Sequence, residues 1–88
     1  MKKVIVETSV LSSDLLGRIR VEEACHLFGV DEKFYVDLVD QGVFEVADLH
    51  TIPATYISVF RKAARLHIDL GVNPAGIAVI LDLLAQRR

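Results

Sequence analysis

The chain is 88 residues long, 52% hydrophobic and 25% charged, with a net charge of −2; that length fits one domain around one modest core. A single cysteine excludes an internal disulfide framework. The longest apolar run, residues 75–81, stops at Asp82, well short of the ~20 residues a spanning helix needs.

So much apolar material on so small a body leads us to expect that a second chain covers part of it. Met1-Lys2-Lys3 is followed only by Val4-Ile5-Val6 before Glu7 interrupts, so no signal peptide is read and a cytoplasmic protein is expected. The charge is unevenly spread. Residues 31–50 hold Lys33 against Asp31, Glu32, Asp37, Asp40, Glu45 and Asp48, a local net of −5, whereas residues 51–88 carry a net of +3. The middle of the chain is acidic and its end is basic.

In chain order, the β-branched Val4-Ile5-Val6 predicts a short N-terminal strand, and Ser12-Ser13-Asp14 reads as a turn. From Val21 the period becomes helical: Val21, Ala24, Cys25 and Phe28 fall on one face. Glu22 and Glu23 suit the first turn of that helix, and Gly29 closes it. Asp31 is a ready N-cap for a second helix whose apolar stripe is Phe34, Tyr35, Leu38 and Val39, ending at Gly42. Two short helices joined across Gly29-Val30-Asp31 have the spacing of a helix-turn-helix.

Residues 43–54 mix Val43, Phe44 and Val46 with polar groups and end near Pro53, which predicts a loop or small wing. A third helix follows, with Tyr56, Phe60, Ala63, His67 and Leu70 inward and Arg61, Lys62, Arg65 and Asp69 on the other face. Gly71 caps it, and Asn73-Pro74 supplies N-cap and first turn of a fourth helix. That last helix is apolar on two sides, one formed by Ile77, Ile80, Leu81 and Leu84, the other by Val79 and Leu83. The first stripe is therefore the expected contact of a homodimer.

Nothing in the chain reads as catalytic. Cys25 and His26 are neighbours on a helix and point about 100° apart, and Cys25 lies on the apolar stripe. Dispersed His26, His50 and His67 lack metal-ligand spacing, and no phosphate-binding glycine loop is present. No enzyme activity, cofactor or metal is expected. A helix-turn-helix raises DNA binding, in which the second helix enters the major groove and cations meet phosphates. Here that helix offers Asp31, Glu32, Asp37 and Asp40 against Lys33. That balance disfavours nucleic acid and leaves two readings of the acids, a solvated face or a surface kept for a basic protein partner. Lys33, Arg61, Lys62 and Arg65 are the residues that would touch DNA if it did bind.

The segment from Arg20-Val21-Glu22-Glu23-Ala24-Cys25-His26-Leu27-Phe28-Gly29-Val30 to Val36-Asp37-Leu38-Val39-Asp40-Gln41-Gly42-Val43 resembles the N-terminal module of MerR-like regulators. Residues 61–84, RKAARLHIDLGVNPAGIAVILDLL, resemble the third and fourth helices of a MerR-like offshoot, the CbpM chaperone-modulator family. The likeness runs over about residues 18–88. Residues 1–17 form a longer, more apolar lead-in than that family pattern, and residues 45–56 lack its tryptophan-containing wing.

The resemblance implies a mostly α, MerR-like winged helix-turn-helix of four helices with a short N-terminal β element. It divides the single domain into a lead-in (1–17), helix-turn-helix (18–42), wing or loop (43–54) and two C-terminal helices (55–88). It also implies that the protein binds and inhibits the J-domain of a DnaJ-like, CbpA-type co-chaperone, which works through a strongly basic helix. The acidic Asp31, Glu32, Asp37, Asp40 and Glu45 have the right sign to occupy that helix. The alternative is a MerR-type DNA-binding transcriptional regulator.

Overall fold

Arg18–Arg20 forms a three-residue strand, β1, in a computed structural model that describes residues 17–86. It pairs antiparallel with β2, Thr51–Pro53, in the register Arg18 to Pro53, Ile19 to Ile52 and Arg20 to Thr51. The Val21 amide donates to the His50 carbonyl at 2.8 Å, and the Ala54 amide to the Gly17 carbonyl at 3.0 Å, extending the ribbon at both ends. Strands this short are marginal on their own. Ile52 is fully buried, so burial in the core holds the ribbon in place.

The strand expected around Val4-Ile5-Val6 and the turn at Ser12-Asp14 lie outside the described residues. The strand that is described falls instead inside the segment assigned to the helix-turn-helix. Its partner lies more than thirty residues downstream, a distance no local pattern reveals.

Helix α1, Val21–Phe28, buries Val21, Ala24 and Cys25 and carries Glu22 and Glu23 in its first turn. Gly29 ends it with φ 76°, which brings the Val30 amide to the Cys25 carbonyl at 3.0 Å. Helix α2, Glu32–Asp40, starts one residue after Asp31, whose Oδ1 accepts from the Phe34 amide at 2.8 Å. Phe34, Tyr35 and Leu38 form its buried side.

The loop that follows is anchored from within. Phe44 is buried, with its ring 5.7 Å from Tyr35 and 5.3 Å from Tyr56. Farther along, Asp48 Oδ1 accepts from the His50 and Thr51 amides at 2.7 and 2.9 Å. Those two backbone donors hold its carboxyl below the usual carboxylate range.

A 3₁₀ turn, Ala54–Tyr56, leads directly into helix α3, Ile57–Leu70, which has no side-chain cap at its start. Helix α4, Pro74–Ala85, begins where Asn73 Oδ1 accepts from the Gly76 amide at 2.8 Å. Gly76 is required by space: a Cβ there would stand 2.9 Å from Val72 Cγ1.

Among the described residues the architecture is mostly helical, four helices with a short β element, as expected from the sequence. Helix α1 packs on α2 and α3, and α4 also packs on α2 and α3. Phe60 of α3 is the hub, fully buried, with ring centroids 5.6 Å from Phe28 and Tyr35, 6.0 Å from Phe44 and 6.4 Å from Phe34. Such ring pairs add to what burial alone provides.

Two residues depart from the expected inward stripes. Leu70 is 72% exposed because it is the last residue of α3 and projects past the core. His67 is exposed as a residue yet stacks on Phe34 at 4.6 Å, and its Nδ1 lies 3.0 Å from the Val72 carbonyl, which it satisfies by donating.

Candidate functional site

Helix α2 sorts its residues cleanly. With Phe34, Tyr35 and Leu38 turned into the core, the helical period puts Glu32, Val36 and Asp40 along one outward line, flanked by Lys33 and Asp37. Glu32, Lys33 and Asp40 are exposed and Asp37 is half-buried. This is the acidic surface expected from the sequence.

The carboxylates on it are not equivalent. Asp31 is engaged as the helix cap. Asp37 receives Lys33 Nζ at 2.9 Å, one turn away on the same helix, and that contact raises the Lys33 pKa. Glu32 and Asp40 form no ion pair among the described residues. Glu45 is exposed but stands apart in the loop, where its backbone carbonyl accepts from the Tyr56 hydroxyl at 3.4 Å. Asp48 is a turn former whose carboxylate is occupied by backbone amides. The core of the candidate site is therefore Glu32 and Asp40, with Asp37 beside them.

Helix stability does not account for Asp40, whereas Asp37 is offset by its i,i+4 pair with Lys33. A helix C-terminus carries partial negative charge, so Asp37 and Asp40 in the last turns oppose the dipole, and the last turn holds no basic residue. Glu32, in the first turn, does favour the helix.

The cations lie elsewhere. Arg18 Nε donates to Thr51 Oγ1 at 2.7 Å, and Arg20 reaches Glu23 at 3.3 Å. Arg61, Lys62 and Arg65 are all exposed on α3, and among the described residues only Arg65 has an ionic neighbour, Asp69 at 3.7 Å. Lys33, the one cation on α2, is held by Asp37. The residues named for DNA contact thus fall on two different helices.

Cys25 is buried, its Sγ 3.5 Å from the Asp31 carbonyl. Burial first, then the nearby Glu32 and Asp31, push its thiol up to about 11. A thiol kept neutral this way is a packing group and a poor nucleophile.

The four residues expected at a dimer contact do not form one outward face. Ile77 is fully buried in the chain's own core and has no surface left for a partner. Ile80 and Leu81 are half-buried, and Leu84 is 50% exposed. The most exposed apolar groups of α4 are the second stripe, Val79 at 59% and Leu83 at 57%.

Three of the residues expected at a dimer contact, Ile80, Leu81 and Leu84, line a groove whose α3 side the sequence did not indicate. This groove of about 390 Å³ runs between α3 and α4, floored by Leu66, Leu70, Ile80, Leu81 and Leu84, with Lys62, Arg65 and Asp69 along its α3 rim. The two-sided apolarity of the fourth helix was its only signal.

No helix among the described residues is long and apolar enough to cross a membrane. No curated protein and no solved structure gives a match. The family model described as MerR HTH family regulatory protein matches residues 19–88, from β1 to the end of the chain. Through that match the chain belongs to the MerR helix-turn-helix family of regulatory proteins.

Proposed function

We propose that this MerR-family domain is a non-enzymatic modulator that binds the J-domain of a DnaJ-like, CbpA-type co-chaperone through the exposed face of α2. The observation that carries the reading is the make-up of that face: Glu32, Asp37 and Asp40 against one lysine that is already paired. In a helix-turn-helix that reads DNA, this helix lies against phosphates and base edges. Carboxylates there repel a polyanion, and they release none of the counterions that drive nucleic-acid binding. The same carboxylates attract a basic helix, and such a partner suits the placement of Asp40 against the helix dipole. The likeness of residues 61–84 to the chaperone-modulator family supports the same choice.

The mechanism is masking. Lysines and arginines of the J-domain that otherwise engage the DnaK-type chaperone become paired with Glu32, Asp40 and Asp37. Charge complementarity of this kind speeds encounter and fixes orientation, and salt weakens it. Self-association through α4 belongs to the same proposal, carried by the exposed Val79 and Leu83 rather than by Ile77; sedimentation at two concentrations checks it.

The test is a calorimetric titration of the protein with the J-domain of a DnaJ-like co-chaperone at low and high salt, repeated with Glu32→Lys/Asp40→Lys. These two sites leave the Asp31 cap and the Lys33–Asp37 pair in place. We expect binding that weakens with salt, and a loss of about tenfold or more in the double variant at unchanged melting temperature. Unchanged affinity in the variant would sink the acidic interface. No J-domain binding, together with retention of a promoter fragment, would favour the transcriptional regulator instead.

A further inference from the structure

We propose that the groove between α3 and α4 is a second docking site, and that its occupant is an acidic amphipathic helix from a protein partner. The floor is continuous aliphatic surface from both helices, namely Leu66 and Leu70 on one side and Ile80, Leu81 and Leu84 on the other. Leu70, 72% exposed, and Leu84, 50% exposed, stand at its mouth. Two large aliphatic side chains left in water beside a preformed trough are the signature of a surface that is covered in use. A trough between two helices of 14 and 12 residues accepts a third helix whose anchors recur at i, i+3 or i+4, and i+7.

The charges choose among such helices. The α3 rim carries Lys62, which has no ionic neighbour among the described residues, and Arg65, tied to Asp69 only at 3.7 Å between exposed groups. The α4 side carries no charge at all, only Ile80, Leu81 and Leu84, while Asp82 lines a separate hollow. A helix seated here meets Lys62, Arg65 and Asp69 along one flank, a net charge of +1 with Lys62 unpaired among the described residues, and aliphatic surface along the other. Carboxylates on the first flank are attracted, and a basic helix of the kind that suits α2 is repelled. The acidic α2 of a second copy is a poor occupant, because Phe34, Tyr35 and Leu38 are already spent in its own core. The domain thus presents acidic and basic docking faces on different helices and is able to hold two partners of opposite charge at once.

The experiment uses the full chain and a fluorescein-labelled synthetic helix with leucines at i, i+3 and i+7 and glutamates on one flank. A second peptide replaces each glutamate with lysine. Fluorescence anisotropy gives the affinities, and amide chemical shifts locate the site. The acidic peptide should bind about tenfold or more tightly than the basic one, with shifts confined to α3 and α4. Lys62→Glu/Arg65→Glu should reverse the preference, Leu70→Ser should weaken both peptides, and Glu32→Lys/Asp40→Lys should change neither. The last result separates this site from the J-domain reading. All these sites are exposed, and circular dichroism confirms that the variants fold. Equal affinity for the two peptides, binding of neither, or shifts mapping to α2 would overturn the proposal. So would a dimer of the protein alone that Leu70→Ser dissociates, since a second copy would then fill the groove.

Discussion

Helices α2 and α3 meet ring to ring in the core and turn opposite charges to solvent. Phe34 and Tyr35 of one face Phe60 of the other, while the outer surfaces carry Glu32, Asp37 and Asp40 on α2 and Arg61, Lys62 and Arg65 on α3. Their beginnings differ as well. α2 is started by a side chain, Asp31, whereas α3 grows out of a 3₁₀ turn without any side-chain cap. Shared burial therefore fixes how the two helices lie together, and the outward residues are left to set what each can bind. The charge of α2 is written only on its solvent side, so it leaves the packing beneath it undisturbed.

The comparison breaks most severely at the shared ring. Phe60→Ala removes the group common to α1, α2, α3 and the loop, and should cost about 3–5 kcal/mol, enough to unfold much of so small a domain. Chemical denaturation checks it; a loss below about 1 kcal/mol would show that the two helices do not depend on this ring.

The difference in helix starts is sharpened by Asp31→Ala, which should lower stability by about 1 kcal/mol while Asp31→Asn restores most of it. Tyr35 tests the α2 side of the ring contact. Its hydroxyl is buried without a hydrogen-bond partner, and burial raises its pKa. Tyr35→Phe should therefore leave stability unchanged or raise it by up to about 1 kcal/mol, and a clear loss in denaturation would mean the hydroxyl is satisfied in solution.

A further effect, confined to alkaline pH, concerns Cys25, under the joint of α1 and α2. Its thiol is pushed up to about 11 when folded, against 9.0 ordinarily. The folded state then holds its proton more tightly than the unfolded chain does. Its contribution is complete below pH 9 and is lost as the pH rises toward 11. Denaturation midpoints at pH 8 and pH 10 should fall more in the native protein than in Cys25→Ala, with pH values chosen to bracket that 9.0. Equal slopes would place the thiol in contact with water.

Much of the fold was legible in the residues because the signals are local. Asp31 and Asn73 cap the helices they precede, and Gly29 and Gly71 take φ of 76° and 69° where a chain must leave a helix. The apolar spacing of Val21, Ala24 and Cys25, or of Phe34 and Leu38, required only the helical period. The sign of the α2 face was legible for the same reason, since a buried stripe leaves its complement outside.

Other features depended on residues far apart in the chain. Pairing of Ile19 with Ile52 creates the β element, and neither tripeptide announces a strand alone. Six acids counted between positions 31 and 50 looked alike, yet packing and backbone geometry made Asp31 a cap, Asp48 a turn and Asp37 an ion pair. They left Glu32 and Asp40 on α2, and Glu45 apart in the loop, without an ionic partner among the described residues.

Ile77 and Leu81 belong to one stripe by sequence, but only the first is sealed in the core. The α3–α4 groove is lined by Leu66 and Leu70 from one helix and Ile80, Leu81 and Leu84 from the other, which only their packing brings together. The sequence by itself determined the helices, their caps and the charge each turns outward, because these follow from neighbours within a turn or two. Which side chains remained available to a partner was decided by the tertiary structure, because burial and pairing depend on what distant segments bring to the same place.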